Sequence, residues 1–153
     1  MRKIFFTFFL LTLTLTVKAQ YGTINAILTK LEERRGLNKN LSEVSLEKAK
    51  FVLIKEFEDH TERNFIIFNG KNATYVEVFD DKQTGQSTSN VFSGDVVRSN
   101  RNIISLRADR LEGKKIPIPL TKTFLLTQQK KILYLVDVNS KDRWIEEGAI
   151  NKK

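Results

Sequence analysis

The single histidine of the sequence, His60, is the residue best suited to acid–base chemistry. It lies in an acidic stretch, directly after Glu58 and Asp59. A carboxylate beside an imidazole can orient the ring and allow it to act as a general base in a hydrolase. However, no serine occupies a Gly-x-Ser-x-Gly elbow, which presents the nucleophile in one large class of hydrolases. We therefore interpret His60 as a loop histidine beside solvated acids, and we keep a hydrolase using these residues as the alternative.

Four arginines form a second candidate site, because they occur close together in one basic stretch. A cationic patch of this kind would attract an anionic small molecule or an acidic protein partner. The other interpretation is a set of charged strand positions that discourage aggregation. The basic residues are not interleaved with aromatic residues as they are in single-strand binders, so we expect no nucleic-acid partner. The arginines are Arg98, Arg101, Arg107 and Arg110.

The composition restricts metal and cofactor chemistry. With no cysteine and one histidine, oxygen ligands are the main ones left, and these suit calcium or magnesium rather than zinc. Residues 137–142 begin like a calcium loop, but Lys141 takes a ligand position and the turn glycine is absent. We therefore interpret this segment as a polar turn, and we expect neither a metal site nor a cofactor.

The first nineteen residues have the pattern of a secretory signal peptide. Arg2 and Lys3 precede an apolar run over residues 4–17, and small residues at Val17 and Ala19 suit signal peptidase. The run is shorter than the roughly 20 residues that a spanning helix needs. The sequence thus predicts cleavage near Ala19 and a periplasmic or secreted bacterial protein. It also predicts a mature chain without a transmembrane segment or disulfides.

The remainder of the chain is expected to form one globular unit. Residues 20–49 are predicted to contain an amphipathic helix, because four apolar residues share one helical face, and then a connection. The four are Ile24, Ile27, Leu28 and Leu31. Residues 50–148 are predicted to form an antiparallel β domain, and residues 149–153 a tail.

One segment of the β domain is ambiguous, because residues 47–59 fit both a strand and a helix. The dense Phe-Val-Leu-Ile run that begins at Phe51 favours a strand from about Lys50 onward. A helical stripe is the alternative, and it would be formed by Leu46, Ala49, Leu53 and Phe57.

Turn residues divide the β domain into short strands. Asn69-Gly70 is a strong hairpin signal, and Ser93-Gly94 indicates a bulge. Residues 116–119, Ile-Pro-Ile-Pro, are expected at a sheet edge or a strand end, because proline lacks the backbone N–H of a ladder. These signals predict about seven to nine short strands. The predicted fold is mainly β (α+β): an antiparallel meander or small, partly closed barrel with one N-terminal helix packed on it.

The predicted order of elements is comparable with that of lipocalin-like barrels in architecture only. The Gly-x-Trp pattern expected near the first lipocalin strand is absent, and the single tryptophan, Trp144, lies near the other terminus. No residue roles follow from this comparison.

The functional expectation is a small exported binding or interaction protein rather than an enzyme. It would bind a ligand or partner against the sheet or within the barrel. An apolar or anionic small molecule and an envelope protein are the candidate partners. The alternatives are the His60 hydrolase and a periplasmic inhibitor or assembly subunit that uses an exposed strand edge.

Overall fold

Eight antiparallel strands follow one another around a closed barrel in the computed structural model, which describes residues 40–99 and 102–150. Each strand pairs with the next in sequence, and pairing between β1 and β8 closes the barrel. A single-turn helix, α1, follows β8. The elements are β1 (Lys50–Glu56), β2 (His60–Asn69), β3 (Asn72–Asp81), β4 (Ser87–Ser99), β5 (Ile103–Leu111), β6 (Lys114–Gln129), β7 (Ile132–Asp137), β8 (Arg143–Glu146) and α1 (Glu147–Ile150).

The predicted mainly β, antiparallel class is confirmed, and the barrel is fully closed. The ambiguous segment forms strand β1, as the run from Phe51 predicts. The predicted helix around residues 24–31 and the predicted leader, residues 1–19, lie outside the described residues. Within the described part of the chain, no helix has the length and apolar character needed to cross a membrane.

The short turns of the barrel have the backbone conformations that hairpins require. Gly70 has a φ of 62° in the two-residue turn between β2 and β3, so the predicted Asn69-Gly70 hairpin is confirmed. The β6–β7 turn places two lysines in the same left-handed region, with φ of 49° at Lys130 and 67° at Lys131. Left-handed conformations at both central residues match the right-handed twist of paired strands, but they strain any residue other than glycine.

The bulge predicted at Ser93-Gly94 is confirmed by a register shift between β4 and β5. A second shift lies between β5 and β6, where Ala108 pairs with Leu120 but Arg110 pairs with Lys115. Residues 116–119 therefore lie within β6, rather than at a sheet edge, and have no ladder partner on β5 or β7. Their prolines interrupt no hydrogen bond for that reason. Bulges are common at barrel rims, where they bend and twist the strands.

One end of the barrel is closed by residues 41–49, which we call the plug. Leu41 is buried, and its N–H donates to Oδ1 of Asn102 at 3.1 Å. The backbones of the plug and β2 are joined because the N–H of Phe68 donates to the carbonyl of Ala49 at 2.9 Å. Arg98 donates from its guanidinium to the carbonyl oxygens of Val44 and Leu41. The plug therefore completes the apolar core at this end.

Candidate functional site

The opposite end of the barrel, which we call the mouth, is formed by the loops at residues 57–59, 82–86, 112–113 and 138–142. Side chains alternate between the two faces of a strand, so every second residue points into the barrel. On β2 the inward positions run from Glu62 and Asn64 near the mouth to Ile66 and Phe68 near the plug. The interior is thus apolar at the plug and polar at the mouth.

Tyr75 lies where the apolar core meets the polar mouth. Its ring stacks on Phe92 with a centroid distance of 5.8 Å and contacts the Trp144 ring at 5.9 Å. Its hydroxyl donates to Oε1 of Glu77 at 2.7 Å. Burial, together with the neighbouring Glu77 carboxylate, raises the pKa of Tyr75 far above its ordinary value. The phenol therefore stays protonated and acts as a hydrogen-bond donor.

Lys122 is an inward-facing cation on the opposite wall. It lies two residues from Phe124 on the same face of β6, and its ammonium is 4.9 Å from the centroid of the Tyr75 ring. This distance is typical of a cation–π contact. Among the described residues, no carboxylate oxygen lies within 4.0 Å of Lys122 Nζ. Lys122 is therefore a half-buried cation without a direct counter-ion.

A second inward lysine, Lys55, has the counter-ion that Lys122 lacks. Its Nζ is 2.7 Å from Oδ2 of Asp142, and the hydroxyl of Ser140 donates to the same oxygen. Burial opposes ionisation of Asp142, but the hydrogen bonds from Lys55 and Ser140 outweigh it and lower the pKa of this carboxyl. The pair spans the gap between β1 and the β7–β8 loop.

Two polar side chains near Tyr75 are buried and lack hydrogen-bond partners within the described part of the chain. Asn64 is 7% exposed, lies opposite Glu77 in the β2–β3 register, and has no side-chain hydrogen bond. The indole Nε1 of Trp144 is also without a partner. Buried polar groups are usually hydrogen-bonded to protein or to an ordered small molecule. The interior near the mouth thus contains unused hydrogen-bonding capacity.

The structure brings two of the three sequence-predicted catalytic candidates together. Nδ1 of His60 is 2.6 Å from Oδ1 of Asp59, whereas Glu58 is exposed and has no hydrogen-bond or ion-pair partner in the described chain. Nε2 of His60 is 3.6 Å from Oε1 of Glu62, a contact that the sequence did not indicate. The hydrogen bond to Asp59 raises the pKa of His60. With a carboxylate near each ring nitrogen, the imidazole is favoured as a cation.

His60 lies at the rim of the mouth, stacked on Phe57 at a centroid distance of 4.4 Å. It lines a cleft of about 490 Å³ with seven other residues, among them Thr84 and Thr88. No hydroxyl of the described residues hydrogen-bonds to His60. The arrangement places an imidazole between two acids, but among the described residues it does not pair a base with a nucleophile.

The described arginines of the predicted patch do not share one surface. Arg98 is paired with the core residue Ile104, faces the interior and binds the plug. Arg107 is exposed on the outer face, and Arg110 lines an outer groove of about 450 Å³. Arg101 lies outside the described residues. The arginine nearest the core is therefore occupied by structural hydrogen bonds.

The turn at residues 137–142 has the polar character that its sequence predicts. Oδ1 of Asp137 accepts hydrogen bonds from the N–H groups of Asn139 at 2.8 Å and Ser140 at 3.0 Å. This carboxylate therefore stabilises the turn that follows β7.

The inward polar residues at the mouth were not singled out from the sequence. The alternation of inward and outward residues along β6 could have identified one of them. Lys122 is the polar residue in an otherwise apolar inward series formed by Leu120, Phe124 and Leu126. Its neighbour Tyr75, however, lies on β3, and only closure of the barrel brings the two together.

Comparisons of the chain with protein-family models, with curated proteins and with solved structures gave no match.

Proposed function

We propose that this protein is a non-enzymatic binding protein of the bacterial envelope that takes a small molecule into the mouth of its barrel. The observation that carries the proposal is the difference between the two ends. Backbone hydrogen bonds and Arg98 fix the plug against the barrel, and the plug completes the core, whereas among the described residues of the mouth Lys122 has no salt bridge and Asn64 has no side-chain hydrogen bond. Ligand sites combine an apolar wall with a few convergent polar groups. Export is supported by the leader pattern of residues 1–19.

A binding role is favoured over the His60 hydrolase by the surroundings of the imidazole. A general base must accept a proton from a nucleophile or water within hydrogen-bond reach. His60 instead has carboxylates near both nitrogens, at 2.6 Å for Asp59 and 3.6 Å for Glu62. These acids raise the pKa of His60 and lie beside the nitrogens that would have to accept the proton.

The first experiment is native mass spectrometry of the protein purified from its own envelope fraction. A discrete added mass below that of a peptide, lost on denaturation, is the expected result. A protein partner in place of a small molecule would instead favour the inhibitor or assembly-subunit alternative. His60→Ala should leave the added mass unchanged, since the proposed ligand site does not depend on that imidazole.

A second measurement uses Trp144, the single tryptophan of the sequence. Its ring contacts Tyr75 and Phe124 in the interior, so its fluorescence reports on events at the base of the mouth. Returning the small-molecule extract to stripped protein should shift this emission in a saturable manner. Unchanged emission, together with the absence of an added mass, would exclude a ligand in the mouth.

A further inference from the structure

We infer that the ammonium of Lys122 binds an anionic group of the ligand, so that the molecule taken up is a small organic acid bearing a carboxylate or a phosphate. This inference rests on the proposed ligand-binding function and adds the chemical class of the ligand and the residue that selects it. Three observations support it: an unpaired cation, occupied carboxylates, and a nearby amide without a partner.

The first observation is the position of Lys122 without a salt bridge. Lys122 is partly buried, and another charge or a hydrogen bond stabilises a charge that is partly removed from water. The ring of Tyr75, 4.9 Å from Nζ, gives partial compensation. An ammonium has three donors, and a π face does not satisfy all three. A ligand carboxylate or phosphate beside Nζ would replace water as the acceptor and add an opposite charge.

The second observation is that the carboxylates around Lys122 are already engaged. Asp142 is bonded by Lys55 and Ser140, and Lys122 acts on it only through space. Glu77 accepts the hydroxyl of Tyr75, and Asp137 accepts two turn amides. The fourth, Glu62, faces the His60 ring at 3.6 Å. Each of these acids thus contacts another group, and among the described residues none forms a salt bridge with Lys122.

The third observation is the unpartnered amide of Asn64. Asn64 is adjacent in register to Glu77, which accepts the hydroxyl of Tyr75. The residue is 7% exposed, and its side chain forms no hydrogen bond within residues 40–99 and 102–150. An amide can donate to a second oxygen of an anion or accept from a ligand hydroxyl. Lys122 and Asn64 therefore both face the barrel interior toward the mouth, where each can contribute a donor group to an anion.

The space at the mouth limits the size of the ligand. Below Tyr75 the interior is filled by side chains with no exposed surface, among them Phe124, Leu126 and Leu135. Above them, only partly buried apolar side chains remain to contact a ligand, and these include Leu53, Phe92 and Leu120. The filled core below Tyr75 therefore favours a compact acid with a small apolar or ring-shaped body over one with a long acyl chain.

The test compares benzoate with benzamide, two planar probes of similar shape that differ in charge. Trp144 emission or NMR shift perturbation gives the affinities, with benzylamine as a cationic probe and inorganic phosphate as an anion without an apolar body. We expect the wild-type protein to bind benzoate about tenfold more tightly than benzamide, which is the range of one charged hydrogen bond.

The decisive variants are Lys122→Met and Lys122→Arg. The methionine should reduce the benzoate preference to about twofold or less and leave benzamide binding unchanged, whereas the arginine should retain the preference. Lys115→Met is the matched control, because Lys115 is an exposed lysine on the same strand. Far-UV circular dichroism and the retained affinity for benzamide would show that the methionine variant is folded.

Several results would overturn the inference. Equal binding of benzoate and benzamide by the wild-type protein, tighter binding of benzylamine, or an unchanged preference in Lys122→Met would each show that Lys122 does not select an anion. A neutral or basic molecule in the native mass spectrum would reject the acid and leave the proposed binding function standing. If no small molecule is recovered and no probe changes the Trp144 emission, both the proposed binding function and the anion selectivity of Lys122 are rejected.

Discussion

The carbonyl oxygen of Arg107 lies 2.0 Å from the position that a Cβ atom would occupy on Gly94. The Cα of Ala108 is also within 2.5 Å of that position. Both atoms belong to the backbone of β5, so they cannot move aside as the end of a flexible side chain would. The close approach occurs at the register shift between β4 and β5.

Gly94→Ala should therefore destabilise the barrel by about 3 kcal/mol, because backbone atoms must shift to admit the methyl group. Urea unfolding followed by Trp144 fluorescence would measure the change. Gly148→Ala is the control, since nothing lies within 4 Å of the added Cβ and alanine favours the helix in which Gly148 lies. A loss of less than 1 kcal/mol at Gly94 would show that the strands are not in such close contact.

The protonation of His60 should depend on Asp59. The fold raises the pKa of His60 above the ordinary value of 6.5, chiefly through the hydrogen bond with Asp59. Asp59→Asn should lower that pKa, and Glu62→Gln should lower it by less. Because the sequence has one histidine, a single imidazole resonance in a proton NMR titration reports the value. Glu58→Gln, at an exposed acid, should leave the midpoint unchanged.

The direction of the linked stability change follows from this raised pKa. The folded protein binds the His60 proton more tightly than the unfolded chain does. The contribution of His60 to the free energy of unfolding is therefore complete below pH 6.5, and it is lost as the pH rises through the pKa of His60 in the folded protein. A His60 midpoint at or below 6.5, or a midpoint unaffected by Asp59→Asn, would contradict the stabilising contact.

The sequence predicts local features of the barrel better than its closure. Alternation and turn chemistry identify β1, the Gly70 turn and the bulge at Gly94, because each depends on neighbouring residues. Closure instead depends on Phe51 pairing with Glu146, which is remote in sequence. The contact between Lys122 and Tyr75 requires that closure as well as the correct inward register of two separate strands.

The candidate sites illustrate the same difference between local and long-range information. Asp59 and His60 are neighbours in sequence, and their contact was expected. Arg98 and Arg107 are also near each other in the chain, yet they lie on opposite faces of the barrel wall. Arg98 occupies an inward position of β4, whereas Arg107 occupies an outward position of β5. Clustering in sequence therefore does not define a surface when the segment crosses a hairpin.

The β6–β7 turn is a place where the barrel can be stabilised. Lys130 and Lys131 both have positive φ, a conformation that asparagine and glycine adopt with less strain. The double variant Lys130→Asn/Lys131→Gly should increase the free energy of unfolding by about 1 kcal/mol. Thermal and urea unfolding would measure it. Lys114→Gly, at a strand position, is expected to destabilise the protein. If the double variant and Lys114→Gly changed the free energy of unfolding equally, the β6–β7 turn would not be specifically strained.

The seam between β1 and β8 should be the least stable part of the barrel wall. Only Phe51 and Val52 are paired across it, with Glu146 and Ile145. Toward the mouth, the Lys55–Asp142 ion pair connects the two sides. Hydrogen exchange should consequently be faster for the amides of this short ladder than for those of β2 and β3, which pair over ten residues. Equal protection of the two ladders would contradict a weak seam.

Lys55→Met tests how much the ion pair contributes to that seam. Because both side chains retain solvent contact, the loss at neutral pH should be about 0.5–1 kcal/mol. The pKa of Asp142 is lowered from 3.8 in the fold, so its contribution is present above that value and disappears as the pH falls through the folded pKa. The stability difference between wild type and variant should therefore persist at neutral pH and shrink below about pH 4. Chemical unfolding at several pH values, with Asp142→Asn in parallel, measures it. A difference that grows on acidification would show that the carboxylate is not the partner that Lys55 stabilises.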